Sequence, residues 1–151
     1  MSEQLSAFRI KQGRRVFDSF SGINSFSFAL VTGNTITLYA MLLGANSTVI
    51  GLLGAFMFLS FFSIPLGRSG LKRRGLVKTF AHNWMLRNFS LLPLLFIPLL
   101  YARGALDIAI ALMILSVFFF NFFRGVGLIS NNPVIGILST GKDRGEYIVW
   151  L

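Results

Sequence analysis

From residue 19 to residue 67 the sequence runs for 49 positions without one charged side chain. A helix needs about 20 residues to cross the hydrocarbon of a bilayer. This stretch therefore holds two spans and a tight turn, best placed at Gly44-Ala45-Asn46-Ser47. A soluble all-α fold would need charged faces on these helices, and they have none. The rest of the chain agrees. Charged residues make up 13% of the 151 positions, about half the share of roughly 25% usual in soluble domains. Mean hydropathy is +0.72, and a water-facing surface could not hide 17 Phe in so short a chain. Disorder is disfavoured because it needs low hydrophobicity. The absence of Cys excludes disulfides and thiolate metal sites, and one His cannot build a His-rich one. Residues 1–18 are polar, unlike a cleavable signal peptide.

The pattern predicts an all-α integral membrane protein with four transmembrane helices and the start of a fifth. The expected spans are residues 19–43, 48–66, 79–101 and 105–130, inside a bundle of residues 19–138. A cytoplasmic tail, 1–18, precedes it. A basic loop, 67–78, joins spans two and three, and Arg103-Gly104 makes a short turn. Arg124 interrupts span four, and Asn131-Asn132-Pro133 reads as a breaker. Residues 139–151 form a polar cytoplasmic segment ending in a cut-off fifth span. The net charge of +9 lies mostly between apolar runs. That arrangement specifies topology rather than nucleic-acid binding, and no nucleic-acid partner is expected. Eleven basic residues fall in the tail, the 67–78 loop and the segment after span four, against Arg103 alone in the two opposite turns. The N-terminus is thus expected in the cytoplasm, and the expected home is a bacterial inner membrane.

Several residues stand out within the spans. On a helical wheel Ser21, Asn24, Ser25, Thr32, Thr35 and Tyr39 share an arc of about 100° with Phe28, opposite Gly22, Phe26, Ala29, Gly33, Ile36 and Ala40. Such a stripe either makes interhelical hydrogen bonds or lines a solute pathway. Span two repeats small residues at Ser47, Gly51, Ala55, Ser63 and Gly67, a face for close helix packing. Arg87 lies about 13 Å into span three by helical rise. It is either a functional charge or a side chain that snorkels to the interface. His82 and Trp84 read as interfacial anchors. Asp18 either pairs with a basic loop residue or caps span one. Paired carboxylates, a nucleotide loop and a Ser–His–Asp set are missing, so neither enzymatic activity nor a cofactor is expected.

The order of these features resembles the N-terminal part of the major facilitator superfamily, over almost the whole chain. Gly67-Arg68-Ser69-Gly70-Leu71-Lys72-Arg73-Arg74-Gly75 is similar to the family's loop signature between spans two and three, although its acidic residue is missing and its second Gly is displaced by one. Arg124-Gly125-Val126-Gly127 looks like the Arg-and-glycine motif of the fourth span, and Lys142-Asp143-Arg144-Gly145 like the Arg-Gly before the fifth. The resemblance implies a secondary transporter that moves a small solute by alternating access. This chain would then be about a third of it, completed by further sequence or a second subunit. It implies a substrate pathway along Asn24, Phe28, Thr32, Thr35, Tyr39 and Arg87. It also implies gating by Gly67, Arg68, Lys72, Arg73, Arg74, Gly75 and Arg124, with Arg73 and Arg74 meeting acidic groups or helix C-termini. Arg87 and Arg124, without acids nearby in sequence, favour an anionic or polar solute. The alternative is a small four-span structural or interaction protein that oligomerises through span two.

Overall fold

A computed structural model describes residues 2–32 and 34–139. Gly33, the Lys142-Asp143-Arg144-Gly145 motif and the expected start of a fifth span lie outside the described residues. Every described element is helical. The helices are α1 Ser2–Thr32, α2 Asn34–Leu42, α3 Ser47–Leu59, α4 Ile64–Arg74, α5 Leu76–Phe89, α6 Ile97–Ala102 and α7 Leu106–Leu138. Tight 3-10 turns at Ser60–Ser63 and Leu92–Phe96 link α3 to α4 and lead into α6. Pro65, Pro93 and Pro98 sit at the starts of the segments around these turns, where a missing N–H is tolerated best.

Among the described residues three helical rods are long and apolar enough to cross a membrane: Ser47–Arg74, Leu76–Ala102 and Leu106–Leu138. The pair α1–α2, bent by 42°, adds a fourth if it counts as one span. Large apolar side chains point outward along these rods, with Phe62 81% exposed and Leu95 74% exposed. Contiguous apolar surface of this kind is compatible with a multi-pass membrane protein.

The short turns form by one device. Gly44 and Gly104 adopt positive φ (78° and 72°), and the next residue donates its N–H to a carbonyl five positions back, Ala45 to Ala40 and Ala105 to Leu100. These are Schellman motifs, in which Gly takes the left-handed position without a Cβ penalty. Asn46 then caps α3 by accepting the Val49 N–H at 2.9 Å.

Three expectations need correction. The basic stretch 67–78 is helical, in α4 and α5, with Gly75 at φ +77° as the only junction. Lys72, Arg73 and Arg74 occupy the last turn of α4, where cations favour the helix C-terminus. Asn131-Asn132-Pro133 does not break the helix, because α7 continues through Pro133 to Leu138; membrane helices tolerate such prolines when packing supports them. The tail is part of α1, whose Arg14 Nε donates to the Leu138 carbonyl at 2.7 Å and so caps the end of α7.

The hub of the bundle is α7, and α1, α3, α4, α5 and α6 all pack on it. Its buried positions include Ala109, Met113, Ser116, Phe120, Gly125 and Ser130, at the spacing of one helical face and its neighbours. Ile36, Ala40, Leu43, Leu53, Phe56 and Ile97 complete an apolar core with Met113, Val117 and Phe120, toward the end that carries the short turns. Gly125 abuts Ser60 and Ser63, and Gly67 abuts Val126. The Ser63 hydroxyl bridges the rods, 2.9 Å from the Phe122 carbonyl and 2.7 Å from that of Ser60. The Ser63–Gly67 end of the small-residue face is therefore a close helix contact.

Candidate functional site

Toward the other end, α1, α5 and α7 part around a cavity of about 340 Å³. From α1 it takes Phe17, Phe20, Ser21, Asn24, Ser25 and Phe28; from α5, Trp84 and Arg87; from α7, Arg124, Leu128, Asn131 and Ile135. Helical spacing explains each set. Ser21, Asn24, Ser25 and Phe28 recur at three and four residues, as do Trp84 with Arg87 and Arg124 with Leu128 and Asn131.

Arg87 is 1% exposed and does not snorkel to an interface. Its Nη1 donates to the Asn24 Oδ1, which ties α1 to α5. Its guanidinium lies over three aromatic rings, 4.1 Å from the Phe120 centroid, 4.7 Å from Trp84 and 5.7 Å from Phe28. Such contacts are each worth on the order of 0.5–2 kcal/mol. Desolvating a cation costs several kcal/mol, so the rings offset only part. Nε and Nη2 of Arg87 have no hydrogen-bond partner.

Arg124 reaches the same place from α7. It is half-buried, 4.8 Å from the Phe28 centroid, and its Nη1 is also unpartnered. The distances of 5.7 Å and 4.8 Å to that shared ring put the two guanidinium carbons no more than 10.5 Å apart. No carboxylate stands among the described lining residues, so two like charges face one cavity and its field is positive.

The expected pathway residues do not all meet here. Asn24, Phe28 and Arg87 line the cavity, with Ser21 and Ser25 of the same stripe. Thr32, Thr35 and Tyr39 are not among its described lining. Thr32 donates to the Phe28 carbonyl at 2.6 Å and so satisfies its hydroxyl within its own helix. Thr35 is exposed, and Tyr39 packs against the apolar core. Ile36 and Ala40, from the opposite arc, are buried in that core. α1 and α2 are bent by 42° relative to each other, so one straight helical wheel does not carry across them.

Among the expected gating residues, Arg124 joins the cavity, Gly67 is buried against α7, and Arg68, Lys72, Arg73, Arg74 and Gly75 are exposed. Trp84 is buried rather than anchored at an interface, while His82 is exposed. Phe120 is a site residue that the sequence reading did not single out; the available signal was its place four residues before Arg124.

No family model, curated protein or solved structure matches this chain.

A larger groove, about 980 Å³, runs beside it between the same helices and is lined mostly by apolar groups, Val16, Val77, Met85, Phe89 and Leu92 among them. Phe17, Phe20 and Trp84 line both spaces and separate them. Their rings, with Phe80, touch at centroid distances of 5.1–6.0 Å. One side of this aromatic wall is thus apolar and the other is charged. Among the described residues no group of three or more His, Asp or Glu comes together that could hold a metal.

Proposed function

We propose that this chain is the N-terminal part of a secondary transporter of the major facilitator type, which moves a small solute by alternating access. One observation carries the reading: Arg87 is buried among three helices and held by an uncharged residue of span one, Asn24, beside a cavity that Ser21, Ser25, Arg124 and Asn131 also line. Ionisable side chains inside membrane segments are costly, and they are retained where they serve a solute or ion path. Four spans, a cytoplasmic N-terminus and a bacterial inner membrane belong to the same proposal, supported by the eleven-to-one distribution of basic residues.

The reading frame beyond Leu151 tests it first. About six to eight further apolar segments are expected from a fold of two six-span halves. The full-length protein in proteoliposomes should then accumulate at least one small solute. A stop codon after a functional short product, with no solute exchange, refutes the reading.

The structural alternative has its own support. Ser47 and Gly51 are exposed, and a Cβ added to Gly51 or Gly54 meets nothing within 4 Å. That outer half of span two is open to a second helix. Under this alternative Gly51→Ile breaks an oligomer measurable by light scattering, and under the transporter reading it leaves particle mass unchanged.

A further inference from the structure

We propose that the cavity between α1, α5 and α7 binds one small oxyanion, carboxylate or phosphate in type, clasped between Arg87 and Arg124. As the choice of transported solute, the inference rests on the reading above; as a binding site, it stands on the geometry of the cavity.

Only one N–H corner of the Arg87 guanidinium is already used. Asn24 takes Nη1 of Arg87 and leaves Nε and Nη2 without partners. Those two nitrogens form the side-on edge of the guanidinium, with two N–H bonds parallel, the edge that matches both oxygens of a carboxylate or phosphate. Asn24 is therefore a positioning residue: it holds one corner of the fork and leaves the paired edge buried without a hydrogen-bond partner, so an anion that enters must draw that edge toward the cavity. Arg124 supplies a third unpartnered donor, Nη1, from the facing helix.

Charge points the same way. Two guanidinium groups no more than 10.5 Å apart, by their 5.7 Å and 4.8 Å distances to the Phe28 ring, repel each other across a space with no described carboxylate. An anion between them converts that repulsion into two attractions and satisfies donors whose burial is otherwise uncompensated. A cation does neither. At about 340 Å³ the cavity stands at the small end of ligand sites. Its occupant is thus a compact anion rather than a nucleotide. Ser21, Ser25 and Asn131 add hydroxyl and amide groups to the lining for its remaining oxygens.

The oxyanion has two candidate sources, a free solute or the phosphate of an anionic lipid headgroup. The test uses the full-length protein in nanodiscs, with every tryptophan other than Trp84 replaced by Phe, so that Trp84, which stacks on Arg87, reports the site. The probes are inorganic phosphate, acetate and succinate, with tetramethylammonium chloride as the cationic control. In phosphatidylcholine discs at least one oxyanion should change Trp84 emission saturably, and tetramethylammonium should not. Arg124→Gln, Arg87→Gln and Arg87→Lys should each weaken binding by at least about tenfold, the last because an ammonium lacks the paired edge. If lipid is the source, phosphatidylglycerol discs give the occupied signal without added anion, and Arg124→Gln removes it.

No response to any oxyanion in either lipid overturns the inference, as does binding that survives Arg87→Gln combined with Arg124→Gln. Thermal unfolding of each variant guards against misfolding; Arg87→Gln removes a buried charge and should melt no lower than the parent. Saturable binding without solute uptake in proteoliposomes retires the transporter reading and keeps the site. Uptake of a solute without oxyanion binding does the reverse.

Discussion

Gly125 offers the sharpest test of how the bundle is held together. A Cβ built there overlaps the carbonyl oxygen of Ser60 and the hydroxyl of Ser63, and reaches within 2.8 Å of the Ser60 carbonyl carbon. The obstacle is largely backbone, so no rotamer change relieves it. Gly125→Ala must push α7 away from the Ser60–Ser63 turn and strain the Ser63 bond to the Phe122 carbonyl. Overpacking costs about 1–3 kcal/mol, and a weakened hydrogen bond adds about 1 kcal/mol. The expected loss is thus about 2–4 kcal/mol. A chain of this size shifts its melting midpoint by roughly 2–4 °C per kcal/mol, so unfolding should come roughly 5–15 °C earlier. Gly136 provides the control within the same helix, because a Cβ there meets nothing within 4 Å. Gly136→Ala should leave stability unchanged or raise it by about 0.5–1 kcal/mol, the helix preference for Ala over Gly. Ser63→Ala in the Gly125→Ala background should not restore stability, since Ser60 still blocks the site. Thermal unfolding by circular dichroism in dodecylmaltoside reads all four proteins. If Gly125→Ala melts at or above the parent, α7 does not pack on span two as described.

Four further outcomes are expected. With Asn46→Cys, Lys72→Cys and Arg103→Cys made singly, an impermeant thiol reagent should label the first and third in intact cells but not the second; the reverse pattern overturns the orientation. Ser21→Cys and Ser25→Cys, which line the cavity, should react with small water-soluble thiol reagents, and Ala40→Cys in the apolar core should not; equal reactivity refutes the two environments. Arg73→Ala with Arg74→Ala, in the full-length protein, should slow transport more than it weakens solute binding; equal loss of both, or no change, rules out gating. Asn24→Asp places a competing carboxylate on Arg87, so oxyanion binding should fall; unchanged binding shows that Asn24 does not hold the fork.

Much of the fold is legible in the sequence because its signals are local. Gly44 and Gly104 mark the short turns because each takes a left-handed conformation, and the long apolar runs mark the rods. The failures come where one local signal carries two meanings. Glycines and cations at 67–78 suggest a loop, yet Gly67 serves close approach to Val126 and the cations end α4. Pro133 suggests a stop, yet α7 continues through it. The polar stripe of α1 lines the cavity from Ser21 to Phe28 and does not continue along α2, which lies across a 42° bend.

Half of the site was legible for the same reason. Asn24 with Phe28, Trp84 with Arg87, and Phe120 with Arg124 each share a helix face by spacing alone. Which faces meet depends on packing, and the run Arg124-Gly125-Val126-Gly127 determines much of it. Gly125 seats the Ser60–Ser63 turn of span two. Gly127 lies about 200° further around α7, where a Cβ would come 3.4 Å from the Trp84 ring and 3.5 Å from the Asn83 Cβ of α5. With span two seated on one side and α5 on the other, the rotation of α7 is fixed. Arg124 is then left to enter the space beside Phe28. The two glycines thus aim an arginine as well as pack a helix. That is why Arg124, expected with the exposed cations of α4, belongs with the buried Arg87.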